Sequence, residues 1–289
     1  MAAIGGYSAL IASPLHQRAE LGRAHALVAR ICQAAANEPH IRLCLRRATR
    51  RWRHREHVIW RGPAAGLRIN PEGSRPAYIF GTAEPDMQQL LASWLRPGAV
   101  FYDLGANVGF FSLIASRLVG TEGHVYAFEP SPATARALRA NVDRNGLGNV
   151  TVIEAAVGRE EGIARLDPVH GEAAQDAHVL PAGDNGGIEV RVVAIDTIVG
   201  DAVRPPDVVK IDVEGAEADV VLGMRATLAS RRPSVVCEIH QTLHANEHPV
   251  ETMLRDAGLA LSWLEPGMSR DREWWAPHLV AVAAPSSAA

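Results

Sequence analysis

The chain has 289 residues, 47% of them hydrophobic and 21% charged, with a net charge of -3 at pH 7. Those values belong to an ordinary globular protein, and they exclude a low-complexity chain and a surface tuned throughout to nucleic acid. Three widely spaced cysteines, Cys32, Cys44 and Cys237, make neither a disulfide framework nor a Cys-x-x-Cys metal motif, so a reducing, cytoplasmic setting is expected.

In chain order, the first apolar stretch, Tyr7 to Leu15, is short, is broken by Pro14 and has no basic residue ahead of it. Neither export nor a membrane span is expected from it. Apolar residues from Leu21 to Ala36 recur at helical spacing and predict an amphipathic helix. Seven arginines follow between Arg42 and Arg55. Such a run reads first as a solvated helix face, and second as a site for a polyanion, a lipid headgroup or an acidic partner. Strand-like runs around His57 to Trp60 and Leu67 to Asn70, separated by Gly62-Pro63, complete an expected helical and β-hairpin cap over residues 1–75, ahead of a main domain over 76–289.

A helix is predicted over Pro85 to Leu95, stopped by Pro97-Gly98. Strands are then predicted at 99–103, 124–129, 150–154, 189–194, 207–212, 234–239, 258–264 and 278–284, with helices at 108–119, 132–145, 214–230 and 248–257. Short apolar strands joined through helices predict an α/β fold with a mostly parallel sheet covered on both faces. The last two strands are expected to form an antiparallel hairpin at one edge.

Chemistry-bearing residues fall at strand ends. Asp103-Leu104-Gly105-Ala106-Asn107-Val108-Gly109 lies where a strand gives way to a helix, the place where open parallel sheets bind ligands. Gly105 and Gly109 permit a sharp turn and a close backbone approach. Read alone, the segment is also a structural turn. It lacks the Lys-Ser/Thr pair of a phosphate loop and the third glycine of a dinucleotide loop. Asp103 is expected at the mouth of the crevice, where a carboxylate suits a cationic ligand such as the amino group of S-adenosylmethionine. Glu129, at the next strand end, suits a pair of ribose hydroxyls.

Asp212 and Glu214 follow the apolar run Val208 to Ile211 and are placed at the rim of the same crevice, near a transferable methyl. Glu217 reads as a helix-start acid that favours the dipole. His240 ends another apolar strand and is the best base for a hydroxyl acceptor, with Glu238 read as a buried, hydrogen-bonded acid. His244 and His248 raise a metal site with Asp212 or Glu238, but they read more simply as a polar loop or helix start, and no metal is expected. Trp274-Trp275 suits a lid or acceptor platform, or core packing beside Trp263.

Taken together these residues resemble the FkbM-type methyltransferases, a branch of the class I S-adenosylmethionine-dependent enzymes. The likeness runs from about 57 to 284 and rests on Gly81-Thr82-Ala83-Glu84-Pro85, Pro97-Gly98, Asp103 to Gly109, Phe128-Glu129-Pro130, Ala155-Ala156-Val157-Gly158, Lys210 to Glu217 and Glu238-Ile239-His240. It implies a Rossmann-like, seven-stranded sheet and methyl transfer from S-adenosylmethionine, usually to an oxygen of a small molecule or sugar. By that likeness Asp103, Gly105, Asn107 and Gly109 hold the methionyl end, Glu129 holds the ribose, and Glu84 and Ala156 face the cofactor. The family often has an aromatic residue where Ala83 stands, and Tyr78 is the candidate to supply that contact.

The expected reaction is a one-step displacement in which His240, or alternatively Asp212, takes the proton of the acceptor hydroxyl while the protein orients the reactants and excludes water. The expected partner is a hydroxylated small molecule, with no nucleic acid; a homodimer stays open. Three rival readings remain: a nucleic-acid or N-methyltransferase, a non-catalytic S-adenosylmethionine-binding protein and a nicotinamide dehydrogenase. Against the first, Lys210 to Glu214 replaces the Asn/Asp-Pro-Pro-aromatic motif that stacks a flipped base, and an acidic rim repels phosphate. The second has the same fold and differs only in activity. The glycine spacing counts against the third.

Overall fold

The computed structural model describes residues 52–167, 186–200, 202–240, 248–264 and 278–283. The helix expected at 21–36, most of the arginine run, His244 and Trp274-Trp275 lie outside the described residues. The chain divides into two compact units, Met1–Arg51 and Trp52–Ala289, and every described residue belongs to the second.

That unit begins with two short antiparallel strands, β1 (His57–Val58) and β2 (Arg68–Ile69). Ile59, Leu67 and Ile69 are buried in one apolar layer with Phe101, Phe110 and Ile114, so this hairpin shares the core of the α/β part. Arg53, read on the sequence as part of a solvated face, is buried instead, and its guanidinium donates to the Gly73 carbonyl. Helices α1 (Ala77–Phe80) and α2 (Pro85–Trp94) lead into β3 (Val100–Leu104).

The alternating part follows as α3 (Phe110–Val119), β4 (His124–Phe128), α4 (Pro132–Arg144) and β5 (Val150–Ile153). Next come β6 (Ala156–Val157), β7 (Gly162–Leu166), β8 (Ile188–Val193) and α5 (Ile195–Ile198). The chain continues through β9 (Val208–Ile211), α6 (Glu217–Leu222), α7 (Arg225–Arg231), β10 (Ser234–Glu238), α8 (Pro249–Asp256), β11 (Leu259–Trp263) and β12 (His278–Ala283). Seven strands form one sheet in the order β11-β12-β10-β9-β3-β4-β5. The pairs β5-β4-β3-β9-β10 are parallel, while β12 runs antiparallel to both β10 and β11. This is the Rossmann-like sheet with an antiparallel edge that the sequence predicts.

Side chains of β3 alternate across the sheet: Tyr102 and Leu104 join one apolar layer and Phe101 the other. Every residue of β3 is buried, as a central strand covered by helices on both faces requires. Asp103 is therefore a charge inside the core, and it needs partners there. No helix among the described residues is long and apolar enough to cross a membrane.

Two elements depart from the sequence reading. The strand expected at 189–194 forms as β8 but pairs with β6 and β7 in a separate three-stranded sheet. Its exposed Glu189 and Arg191 alternate with buried Val190 and half-buried Val192, a pattern for a sheet with one wet face. The helix expected over 214–230 breaks in two at Gly223, where a Cβ would overlap the Gly158 carbonyl oxygen. Asp196 then caps the second piece, accepting from the Ala226 and Thr227 amides and the Thr227 hydroxyl at 2.7–2.8 Å.

Candidate active site

A cleft opens at the carboxyl ends of β3, β4, β9 and β10, and the backbone there is locked from strand to strand. The amides of Gly105 and Ala106 donate to the Phe128 carbonyl at 3.0 and 2.9 Å, and the Asp212 amide donates to the Leu104 carbonyl at 3.0 Å. Gly105 has φ +79, and a Cβ on it would overlap the carbonyl oxygen of Asp212. Three non-glycine residues that line the cleft, Glu84, Asn107 and Glu214, also hold positive φ values of 42, 51 and 52. Each such residue costs on the order of 1 kcal/mol, so backbone strain is concentrated where a ligand would lie.

Glu129 is buried at the end of β4, and each carboxylate oxygen accepts one backbone amide: Asn107 to Oε2 and Ser131 to Oε1, both at 2.9 Å. Burial raises this carboxyl to about 7 although the two amides oppose the shift. Each oxygen keeps acceptor capacity for a hydroxyl on the cleft side.

Below the cleft lies a buried triad of charges. Lys210 Nζ donates to Asp212 Oδ2 at 2.8 Å and stands 3.7 Å from Asp103 Oδ1, over the ring of Phe111. Ser112 donates its hydroxyl to the other Asp103 oxygen at 2.6 Å. Burial raises the Asp103 carboxyl, and Lys210 only partly opposes it. For Asp212 burial also works upward, but Lys210 dominates and holds the carboxyl below its ordinary range. Asp103 was expected at the mouth of the crevice; it lies in the floor instead, because β3 is covered on both faces.

His240 stands behind the rim with its orientation fixed from one side: Nδ1 lies 2.8 Å from Glu217 Oε1. The same Glu217 oxygen accepts the Gly215 amide at 2.9 Å, so this buried acid is a brace for the imidazole rather than a dipole partner alone. His240 Nε2 faces Glu214, Asp212 and Glu238 at 3.5–3.6 Å. Burial lowers the imidazole pKa, but Glu217 and the three other carboxylates raise it to about 9.

Sequence reasoning left out part of this site. Lys210 was quoted only within its motif, although a lone cation inside the apolar run Val208–Ile211 is itself a signal of a buried charge partner. Glu238, read on the sequence as a buried acid, lines the cleft, and His278, the first residue of β12 and not singled out on the sequence, is buried between Glu84 at 3.5 Å and Glu238 at 3.6 Å. Burial lowers the His278 pKa, yet these two carboxylates carry it to about 9. Arg75, also not singled out on the sequence, lines the cleft 3.4 Å from Glu84 Oε1, and Tyr78, the aromatic candidate named from the likeness, lines it while stacked on Phe110 at 4.8 Å. Nothing in local spacing ties Arg75 or His278 to the motifs; only the fold does. His248 caps α8 by accepting the Val250 amide.

Of the residues singled out on the sequence, Glu84, Gly105, Asn107, Glu129, Ala156, Asp212 and Glu214 line the one cleft. Asp103, Gly109 and His240 stand one layer behind it: Gly109 is the N-cap residue of α3, with φ 89. The residues present fit S-adenosylmethionine. A side-chain-free turn at Gly105, a carboxylate with two spare acceptor positions and an acidic far wall match a ribose-bearing sulfonium.

Comparison with known proteins identifies the family of the chain. Residues 103–259 match the methyltransferase FkbM domain family. The hexuronic acid methyltransferase AglP of Haloferax volcanii is 32% identical over 178 residues, which cover 61% of this chain and 70% of that protein. The 31-O-demethyl-FK506 methyltransferase FkbM of Streptomyces tacrolimicus is also 32% identical, over 50% of this chain and 67% of that one. A crystal structure of a methyltransferase FkbM from Methylobacillus flagellatus KT superposes with a TM-score of 0.47 at 18% identity, covering 71% of this chain and 52% of that chain.

Proposed function

This chain belongs to the FkbM methyltransferase family and uses S-adenosylmethionine, and on that premise we propose that it methylates a hydroxyl of a sugar or small natural product, with His240 as the base. The observation that carries the reading is the braced imidazole. Glu217 fixes Nδ1 at 2.8 Å and leaves Nε2 facing the cleft rim. Two relatives named for a hexuronic acid and for 31-O-demethyl-FK506 support an oxygen acceptor.

When bound, the cofactor supplies a methyl group already activated on a sulfonium, so the protein's work is orientation and proton removal. Glu129 would hold the ribose, and the turn at Gly105 to Asn107 the methionyl end, with Asp103 acting from beneath through Lys210 and Ser112. With only the protein's own charges around it, His240 keeps its proton up to about pH 9. A positive charge bound against Asp212 and Glu214 competes with the imidazolium for the same carboxylates and lowers its hold on that proton. His240 thereby becomes able to accept a proton when the cleft is loaded. Five carboxylates and two basic side chains line the cleft, a balance that disfavours a nucleic-acid backbone as acceptor.

The test is methyl transfer from isotopically labelled S-adenosylmethionine to a panel of free and glycosidic hexuronic acids, hydroxylated macrocycles and, as controls, amines and RNA. A labelled methyl ether, lost by about 10²–10⁴-fold in His240→Asn with cofactor affinity kept, is expected. Cofactor binding without transfer to any of them would favour the non-catalytic reading.

A further inference from the structure

Three donors from three separate elements meet at the edge of the cleft away from Glu129. Glu238 ends β10, His278 begins β12 as its antiparallel register partner, and Glu84 comes from the left-handed residue ahead of α2. Glu84 Oε2 and Glu238 Oε2 lie 3.5 and 3.6 Å from the same nitrogen, Nε2 of His278. One ligand atom from each of the three lies within 4.8 Å of the other two. His278 is 3% exposed, so packing fixes its ring. The two separations are those of ion pairs and longer than strong hydrogen bonds. They match the edge of a tetrahedron around an ion with bonds of about 2.1 Å, which is about 3.4 Å.

We propose that Glu84, Glu238 and His278 bind a divalent first-row transition-metal ion of the zinc, cobalt or manganese class. An imidazole with two carboxylates suits these ions better than magnesium or calcium, which take oxygen alone. Three protein ligands leave a coordination position open to an acceptor oxygen, as in a catalytic rather than a structural site.

A second grouping, Asp212, Glu238 and His240, shares Glu238 and is ruled out by its neighbour. The Lys210 ammonium already sits 2.8 Å from Asp212 and repels a further cation there. Glu238 reaches His240 with its other oxygen at 3.6 Å. An ion at the Glu84 site would therefore stand one carboxylate away from the base and would acidify a bound hydroxyl. That role in transfer rests on the function proposed above, whereas ion binding does not.

The experiment is titration of chelator-treated full-length protein with Co²⁺ and then Zn²⁺, without cofactor, followed by visible absorption and calorimetry. One equivalent of Co²⁺ with visible ligand-field bands, displaced by Zn²⁺, is expected. Glu84→Gln, Glu238→Gln and His278→Gln should each weaken binding by at least about tenfold. Glu129→Gln, across the cleft, should bind the ion as wild type does. If His278→Gln does not fold, the two glutamate variants decide the matter. Absence of stoichiometric binding by wild type, or binding undiminished in Glu84→Gln and Glu238→Gln, overturns the proposal. Affinity for S-adenosylmethionine, measured separately on the metal-free protein, tests the methyltransferase reading by itself.

Discussion

Asp103 and Lys210 are register partners on the adjacent parallel strands β3 and β9, and their charged atoms meet 3.7 Å apart with almost no exposure to solvent. Lys210 thereby joins the floor of the cleft to its rim, since the same ammonium holds Asp212 at 2.8 Å. Asp103 Oδ1 makes no hydrogen bond among the described residues, so Lys210 is its electrostatic counterweight. Replacing Lys210 with Met leaves two carboxylates facing one another without a cation. Removing one partner from a buried ion pair costs about 3–5 kcal/mol, and Lys210→Met should lose that much stability in urea denaturation. Adding Asp103→Asn to it should restore part of the loss. Equal midpoints for wild type and the single variant would show that the triad is solvated and not a core element.

Glu129 gives the protein a distinct response to pH. Its carboxyl ordinarily titrates at 4.5 and is raised by burial to about 7 in the folded state. Between these values the folded protein holds a proton that the unfolded chain has lost, so this residue's contribution to stability falls as pH rises from about 4.5 to 7. The full shift corresponds to about 3 kcal/mol. Glu129→Gln carries no such titration. Wild type should therefore compare better with Glu129→Gln at pH 5 than at pH 8, by up to that amount, in denaturant melts across the range. The same variant should bind S-adenosylmethionine more weakly, because an amide presents a single acceptor oxygen to two hydroxyls.

How much of this was legible in the sequence depends on whether the signal was local. Gly105, Glu129 and Asp212 are each marked by a strand that ends beside them, and period and punctuation alone place them around one cleft. The buried position of Asp103 was also implicit: it belongs to a five-residue strand with no exposed side chain. Its expected place at the cleft mouth followed from treating a strand-end carboxylate as a ligand before asking what covered the strand. His278 and Arg75 could not be read in this way. They reach the site through an antiparallel strand inserted beside β10 and through the segment before α1, placements set by tertiary packing. The split of the 214–230 helix was hidden for the same reason, since the overlap at Gly223 involves Gly158, a distant part of the chain.

Gly105→Ala isolates the close approach between the β3 and β9 loops. The new methyl would overlap the Asp212 carbonyl oxygen, and φ +79 is unfavourable for any side chain. Backbone meets backbone here, so neither atom can swing away as a flexible side chain would. The variant should lose about 2–4 kcal/mol and displace Asp212, with cofactor affinity falling along with stability. Gly146→Ala serves as the comparison, since a Cβ there meets nothing within 4 Å while φ is also positive, at +61. Comparable cofactor affinity in the two variants would mean that the Gly105 contact does not shape the binding site.

The last prediction separates orientation from charge at His240. Glu217 is buried, accepts the Gly215 amide and meets His240 Nδ1, but it does not line the cleft, so it is a positioning residue. Glu217→Gln keeps an acceptor oxygen for the ring and removes the negative charge; Glu217→Leu removes both. If alignment is what matters, Gln should retain most turnover while Leu lowers kcat by about 10–100-fold, with KM for S-adenosylmethionine nearly unchanged in both. A loss shared equally by Gln and Leu would instead assign the effect to the charge on the imidazole. Thermal melts of the two variants keep the comparison independent of folding, because a merely structural acid would lower stability and cofactor affinity together without moving kcat on its own.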